Sequence, residues 1–489
     1  MDELPVGGLP AELASYDALV AGVLTRTLAK IDEKVLAGLM TFCVYPRYWG
    51  EAVYGDELDC GENDPTPGET WDDAYWCGTW SDYHNTIATA PGWAMRSGQV
   101  DWLDEIAAPG ALRMLHTQIM QCAPDDPWFY CGQAPAGYGG YRFDFNSSHA
   151  YFDNLFLYYW LTGDRTVVET IQRGASTMRA FLCNRRPAEA CLPTDPPTDE
   201  WAGLSGRVAS QWLAAFRFVG LASDDPSYLE DYRSGLARAV TWHYVEGNSY
   251  GFWLDGVVTG PGAYSTGQLW MASLYDMNNL FRLQRDAGDA AIGEPAIPPS
   301  QAIAAWARTL IAFGATTAGD GTAAGLWPNA LNFTWEGARI GGTLITVTAN
   351  TSYGDPYLWD TGKATLPATL LRAGDATGDS ALVQMAADLT QLALAAALRD
   401  GSPLGKVQGL YLERLGPAVA RLAARASAAC RADVTADGAI DAADRQLVAA
   451  WWRRPGYPPV ADQDGSGAVD VWDVQAVIGQ AGQGCGGAK

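Results

Sequence analysis

The sequence predicts a mainly α protein in two parts, a large helical domain followed by a small all-α C-terminal module. Apolar residues recur at three- and four-residue spacing in about a dozen segments, as in amphipathic helices. Turn and capping residues such as Thr162-Gly163-Asp164 separate these segments into pairs. Paired helices in this number are typical of an (α/α)6 toroid, which we assign to residues 1–428, with a less regular α-solenoid as the alternative. The tail, residues 430–489, has a different pattern and forms the second part.

The clearest helical periodicity lies in a series of segments along the large domain. In chain order they are Leu13–Ala29, Leu103–Met120, Tyr151–Leu161, Thr166–Leu182, Val208–Val219, Tyr228–Trp242, Leu269–Leu283, Ala302–Phe313 and Leu382–Leu398. Proline-rich breaks at Pro193–Pro197 and Pro295–Pro299 indicate surface loops. Strand-like runs are few, and Gly341–Asn350 is the best hairpin candidate.

Composition limits the function and the compartment. A net charge of −24 over 489 residues argues against a nucleic-acid partner and indicates an acidic surface. Nine cysteines indicate an oxidising compartment, so we expect a secreted or cell-surface protein. Met1–Pro5 does not resemble a targeting segment, so we expect that the natural N-terminus is missing or that the chain is a fragment. The expected disulfides are Cys60–Cys77, Cys122–Cys131, Cys183–Cys191 and Cys430–Cys485, with Cys43 left over.

Two calcium loops are predicted in the tail. Each places oxygen side chains at loop positions 1, 3, 5, 9 and 12 and glycine at position 6, because Ca²⁺ takes six to eight oxygen ligands around a sharp turn. The side-chain ligands of the first loop are Asp433, Thr435, Asp437, Asp441 and Asp444, and those of the second are Asp462, Asp464, Ser466, Asp470 and Asp473. The backbone carbonyls of Ala439 and Ala468 complete the two sets. The sequence thus predicts two bound Ca²⁺ ions.

The tail resembles a dockerin, the duplicated half-EF-hand module that anchors extracellular polysaccharide-degrading enzymes. Aspartate at position 12 and the length of the tail match that family. The resemblance implies a cohesin-like partner that contacts loop positions 10 and 11. Those positions are Ala442-Ala443 and Val471-Trp472, in place of the family's hydroxyl pair. The alternative is a calcium-stapled cap that binds no partner.

Aromatic residues are concentrated between Tyr45 and Trp93, where they alternate with polar residues, Gly and Pro. Aromatic rings on polar loops pack on the apolar faces of sugars, although the same rings can also cover a helical core. The segment Thr351–Asp360 has a similar composition and is the best second wall of a sugar cleft. The predicted substrate-binding residues are Trp76, Trp80, Tyr151, Tyr353, Asp355 and Trp359.

Two of the four histidines stand in polar contexts at expected helix starts, His84 and His149, whereas His116 and His243 are expected to be structural. The run from Trp76 to Asn85, the helix Leu103–Met120 and the segment from Ser148 to Asp164 resemble the toroid of the exo-rhamnogalacturonan lyases. The resemblance covers about residues 35–240. It implies β-elimination next to a uronate carboxylate. Those lyases carry a β-sandwich ahead of the toroid, and this chain does not begin with one.

β-Elimination needs a group that neutralises the carboxylate, a base and an acid. Arg47, Arg142 or Arg207 is a candidate for the first role, His84 or His149 for the second, and Tyr83, Tyr151 or Tyr353 for the third. The predicted catalytic residues are Asp82, Tyr83, His84, Asn85, His149, Asp153 and Arg207.

Two other functions remain open at the level of sequence. A glycoside hydrolase on the same toroid needs two carboxylates, for which Asp73, Asp82, Asp153, Glu336, Asp355 and Asp360 are candidates. A non-catalytic carbohydrate-binding or structural surface protein would also use the aromatic residues and the calcium tail.

Overall fold

The structure is a computed structural model of the chain. It describes residues 9–34, 90–91, 93–94, 97–118, 152–182, 206–243, 264–269, 272–293, 296–315, 330–335, 344–349, 356–399, 415–425, 442–450, 469, 474 and 477. The chain forms two compact units, a large one over Leu19–Leu415 and a smaller one made of Glu3–Ala18 and Gly416–Lys489. None of the described helices is long and apolar enough to cross a membrane.

Helices dominate both units. After a short 3-10 turn at Ala11–Leu13, they are α1 (Ser15–Lys34), α2 (π-helical Trp102–Ala107, α-helical Ala108–Arg113 and π-helical Met114–Gln118), α3 (Asp153–Thr162), α4 (Arg165–Leu182), α5 (Gly206–Ala222), α6 (Ser227–His243), α7 (π-helical Ala272–Asp276 and α-helical Met277–Ala287), α8 (Pro299–Thr309 with π-helical Leu310–Ala315), α9 (Pro356–Thr377), α10 (Ser380–Arg399), α11 (residues 415–425) and α12 (Ala442–Ala450). Each predicted helical segment coincides with one of these helices. Helices α9 and α11 were not among the predicted segments.

Three strands form an antiparallel sheet in the order β1-β2-β3, with β1 at Tyr264–Gln268, β2 at Ala330–Trp335 and β3 at Leu344–Ala349. Thr266 on β1 faces Asn332 on β2, and Phe333 on β2 faces Val347 on β3. The predicted hairpin segment Gly341–Asn350 supplies only β3, because its partner β2 precedes that segment. β1 was missed because its sequence, YSTGQ, lacks the apolar alternation of a half-buried strand.

Helices α3, α5, α7 and α9 run parallel to one another and form one layer. Their contacts follow the same order along both helices of each neighbouring pair, which requires a common direction. The contacting residues are Phe152 with Trp212 and Phe156 with Phe218 between α3 and α5, Ser210 with Asn279 and Arg217 with Asp286 between α5 and α7, and Ser273 with Thr369 and Asn278 with Arg372 between α7 and α9.

The intervening helices form a second layer. Two residues join α3 to α4, and Gly163 turns the chain there with a φ of 74°, which favours glycine. Helices α4 and α6 contact each other in parallel order, since Ser176 bonds the hydroxyl of Tyr228 at 2.6 Å and Arg179 pairs with Asp231 further along both helices. Both also pack against α5.

Burial places α5, α7 and α9 of the first layer in the interior, whereas α3 reaches the surface at Trp160 and Leu161, and α8 is also largely buried. Almost every described side chain of α5, of the first half of α7 and of residues 364–374 in α9 is buried, as expected for a helix surrounded by others. In α4, α6 and α10, by contrast, buried and exposed residues alternate with helical periodicity. The mainly α class is therefore confirmed. An inner parallel layer covered by an outer one is also the arrangement that the (α/α)6 toroid prediction requires.

Candidate functional site

The inner helices all begin at the same end of the layer. Three residues of the predicted catalytic and substrate-binding sets lie in the described part of the chain, and each stands in the first turn of one of these helices. Asp153 is the first residue of α3, Arg207 the second of α5 and Trp359 the fourth of α9. β1 ends just before α7, with residues 269–271 between them, so the sheet connects to the same end. The structure describes the side chain of Asp153 and only the helical backbone at Arg207 and Trp359.

Arg207 and Asp153 lie at different depths along the layer. The ring of Phe152, next to Asp153, contacts Trp212 edge-on with 5.5 Å between ring centroids. Arg207 precedes Trp212 by five residues, or about 7.5 Å of helix rise. Along the helix axes, Asp153 therefore lies more than one helical turn further from the N-terminal end of the layer than the backbone of Arg207 does.

Asp153 forms an ion pair with Arg282 of α7, which the sequence analysis did not single out. Arg282 Nη2 lies 3.6 Å from Asp153 Oδ2. Helix α5 stands between α3 and α7 in the inner layer, and α4 and α6 cover its outer side. A contact between α3 and α7 at the level of Trp212 must therefore cross the inner side of α5. The pair lies on the interior face of the inner layer.

Solvent reaches this pair, although it lies between inner helices. The side chain of Asp153 is 19% exposed and that of Arg282 is 12% exposed. Two other charged side chains of the same layer, Asp276 and Arg372, are only 2% and 4% exposed. The Asp153–Arg282 pair thus offers a carboxylate and a guanidinium to a molecule that enters the interior. A carboxylate can accept a proton, and a guanidinium can bind another carboxylate in a fork.

Buried polar contacts hold α7 in place behind Arg282. The Ser210 hydroxyl donates to Asp276, and the Asn279 amide donates to the Ser210 carbonyl at 2.7 Å, which joins α5 to α7. The Tyr232 hydroxyl donates to the Asn279 carbonyl at 2.7 Å, which joins α6 to α7. Because Asn279 and Arg282 are three residues apart, they are neighbours on the helix surface. These contacts therefore fix the helix position from which Arg282 extends.

Asp153 is fixed by its two sequence neighbours. Phe152 is buried against Trp212, and Asn154 is 3% exposed and accepts a hydrogen bond from the Leu155 amide at 2.7 Å. With the residues on both sides anchored in the core, the first turn of α3 has little freedom to move Asp153 away from Arg282.

The remaining predicted residues of the catalytic and substrate-binding sets lie outside the described part of the chain. They are Trp76, Trp80, Asp82, Tyr83, His84, Asn85, His149, Tyr151, Tyr353 and Asp355. The cysteines of the expected disulfides lie outside it as well. Arg282 gave no signal in the sequence because it stands among charged residues on an amphipathic helix, as solvated arginines do.

The first calcium loop has one described ligand, Asp444 at position 12. It is fully buried in the first turn of α12, which begins at Ala442 directly after loop position 9. Position 12 supplies the last ligand of such a loop, so Asp444 is the residue of this loop in the described part that could hold the ion, and calcium binding stays a prediction. Val469, at position 8 of the second loop, is also buried. The other predicted ligands are outside the described residues, among which no cluster of three metal-binding side chains occurs.

Comparisons with known proteins place the chain apart in sequence. No known protein family and no curated protein matches it. A solved structure, that of an unsaturated glucuronyl hydrolase specific for heparin, is similar over 83% of this chain and 96% of its own, with 11% identity and a TM-score of 0.45. The architecture described above rests on the helix contacts of this chain itself.

Proposed function

We propose that the chain is an extracellular enzyme that degrades a uronate-containing polysaccharide, with β-elimination as its reaction. The observation that supports this most is the solvent-accessible Asp153–Arg282 pair on the interior face of the inner layer. Four inner helices begin at the end where Arg207 lies, and helix N-termini carry partial positive charge that favours anions. An acidic sugar entering from that end would meet favourable charge although the chain as a whole carries −24.

In the proposed reaction, a guanidinium neutralises the uronate carboxylate, which acidifies the neighbouring C5 proton. A base, His84 or His149, removes that proton, and the electron pair of the C5–H bond forms the C4–C5 double bond. The C4–O4 bond breaks, and the leaving oxygen takes a proton from an acid, for which Tyr83, Tyr151 and Tyr353 are the candidates. Asn85 helps to polarise the carboxyl group.

Hydrolysis is a second candidate, favoured by the accessible carboxylate of Asp153. A glycoside hydrolase needs one ionised and one protonated carboxyl group on opposite sides of the bond that is cut. An accessible carboxylate can act as a base or a nucleophile in such a reaction. The candidates for the second carboxyl group are the other carboxylates that the sequence offers, Asp73, Asp82, Glu336, Asp355 and Asp360.

The C-terminal module is proposed to bind two Ca²⁺ ions and to act as a dockerin-like anchor. Asp444 supports calcium binding by its burial at the start of α12. A cohesin-like protein is the proposed partner, and a cap without a partner is the alternative.

A panel of uronate-containing polysaccharides tests the function, with ultraviolet absorbance and reducing ends read from the same reaction. New absorbance from unsaturated uronates is expected for the lyase, and His84→Ala and His149→Ala then identify the base. Reducing ends without absorbance would replace the lyase by the hydrolase. If the folded protein gives neither signal, the enzyme proposal fails and a binding or structural role takes its place.

A further inference from the structure

We propose that the C-terminal ends of α3 and α5 carry a second carbohydrate site, which binds an uncharged part of a polysaccharide by stacking on Trp160. Among the described residues, five large apolar side chains are exposed, and three of them belong to these two helix ends. They are Trp160, Leu161 and Leu221, at 57%, 54% and 45%, and we call them the corner patch. The inference rests on the proposed function in one respect only, since it takes a polysaccharide as the ligand.

The corner patch lies where the inner helices end, opposite to the end at which they begin. Trp160 and Leu161 belong to the last turn of α3, and Leu221 is the next-to-last residue of α5. Along the helix axes, Trp160 lies about 10 Å beyond Asp153, and Leu221 lies about 21 Å beyond Arg207. The patch is therefore a place distinct from the candidate site.

Trp160 is held in place by its ring contacts, although more than half of its side chain is exposed. Its ring centroid lies 4.9 Å from that of Tyr159 and 6.2 Å from that of Phe218, both in edge-to-face geometry. Phe218 is itself stacked on Phe156 at 4.3 Å, and the Tyr159 hydroxyl donates to the Ala222 carbonyl at 3.5 Å. Because these contacts orient the indole in advance, a ligand that stacks on it immobilises little additional side chain.

The size of the corner patch suits a sugar better than a protein. Leu221 follows Phe218 by three residues, so the two are neighbours on the surface of α5, and Trp160 contacts Phe218 from α3. One tryptophan and two leucines offer a few hundred Å² at most, since a large aromatic side chain has about 150–250 Å² to bury. A stable protein interface buries about 800 Å² on each partner. The apolar face of one pyranose ring, by contrast, packs on a single aromatic ring.

The charges around the patch disfavour an acidic ligand. The charged residues of the two adjoining helix corners are three carboxylates and one guanidinium, namely Asp164, Arg165, Asp224 and Asp225. Arg165 also donates through Nη1 to the Ala222 carbonyl at 3.1 Å, and the C-termini of α3 and α5 add partial negative charge. A uronate is therefore repelled here, whereas the hydroxyl groups of a neutral sugar can donate to the exposed carboxylate of Asp224.

Affinity electrophoresis tests the inference, with galactan, xylan, mannan and β-glucan in the gel as neutral probes and polygalacturonate as the acidic one. We expect at least one neutral polymer to retard the wild-type protein, and Trp160→Ala to weaken that binding about tenfold or more. Trp160→Phe should recover part of the loss, because it keeps an aromatic ring. Val100→Ala is the matched control, since Val100 is 58% exposed but lies outside the patch, and this variant should bind like wild type.

Leu221→Ser leaves the ring contacts of Trp160 in place and should weaken neutral binding as well, so the test does not depend on one variant. Polygalacturonate should retard wild type and Trp160→Ala equally. No retardation by any neutral polymer, or equal retardation of wild type and Trp160→Ala by all of them, would overturn the inference. A dimer in analytical ultracentrifugation that Trp160→Ala abolishes would also overturn it, because the patch would then join two copies of this chain.

Cleavage assays on the same variants separate the inference from the proposed function. If wild type cuts uronate polymers and Trp160→Ala binds neutral polymers as wild type does, the function stands and the inference falls. If neutral binding depends on Trp160 but no bond is cut, the inference stands and the enzyme proposal falls. Trp160→Ala should cut a short uronate oligosaccharide at the wild-type rate, and a lower rate would place Trp160 in the candidate site and overturn the inference.

Discussion

Asp225 shows how one side chain starts an outer helix. Its Oδ1 accepts hydrogen bonds from the hydroxyl and, at 3.0 Å, from the backbone amide of Ser227, the first residue of α6. The hydroxyl bond is the main reason why the pKa of Asp225 is lowered; partial burial opposes the shift, and the Ser227 amide and the charge of Arg179 add to it. The folded state therefore favours the ionised carboxylate.

A lowered pKa makes the contribution of Asp225 to stability depend on pH. It is fully present above the ordinary aspartate pKa of about 3.9 and is lost as the pH falls through the lowered value. Asp225→Asn keeps the capping oxygen but not the charge, so its urea midpoint should lie below that of wild type at pH 7 and approach it below about pH 4. Asp225→Ala also loses the cap and should cost about 1 kcal/mol at both ends of the range. A constant gap between wild type and Asp225→Asn from pH 3 to 7 would refute this assignment.

The residues of the candidate site were only partly predictable. Asp153 was found in the sequence because it opens a helix with a polar and aromatic context. Arg282 was not, because its role depends on α3 and α7 meeting across α5, and no local pattern encodes a contact between elements that far apart in the chain. Residue type identifies candidates, whereas helix packing decides which of them share a face.

At the scale of elements, amphipathic helices were the easiest to predict. Helices α4, α6 and α10 have one buried and one exposed face, which produces the periodicity that a sequence displays. Helix α9 lacks that signal, since residues 364–374 are buried all round and Pro367 lies inside the helix, where proline usually indicates a break. The other three inner helices, α3, α5 and α7, were predicted, so it is the uniform burial and the internal proline of α9 that hid this one helix.

The corner between α5 and α6 depends on a close approach at Gly220. A Cβ atom at this position would lie 2.6 Å from Leu229 Cγ and 2.8 Å from the Leu229 backbone nitrogen. Backbone cannot move aside as a side chain can. Gly235 is the matched control on α6, because its Cβ would come too close only to the Cδ2 end of Leu213, at 2.5 Å.

We expect Gly220→Ala to destabilise the large unit by about 1–3 kcal/mol, as overpacking usually does, despite the higher helix propensity of alanine. Gly235→Ala should cost less, because Leu213 can change rotamer. Thermal denaturation followed by circular dichroism measures both. An equal or larger loss in Gly235→Ala would mean that backbone approach at Gly220 does not set the spacing of the two helices.

At the scale of the whole molecule, the chain combines a large and a small compact unit with different sources of stability. The large unit has an extensive apolar core that includes Trp212, Trp306 and Tyr232. In the small unit, the predicted calcium loops add metal binding to a smaller core. A bound ion stabilises the state that binds it in proportion to its concentration and affinity. The two units should therefore respond differently to a chelator.

Removing calcium should lower the midpoint of one calorimetric transition, that of the small unit, and leave the transition of the large unit in place. Asp433→Ala and Asp444→Ala should each weaken calcium binding in the first loop only, since the second loop has its own ligands. Calorimetric titration should therefore find one intact and one weakened site in either variant, against two sites in wild type. Two intact sites in Asp433→Ala would contradict the loop assignment. Two intact sites in Asp444→Ala alone would instead mean that the buried carboxylate at the start of α12 supports the helix and not the ion.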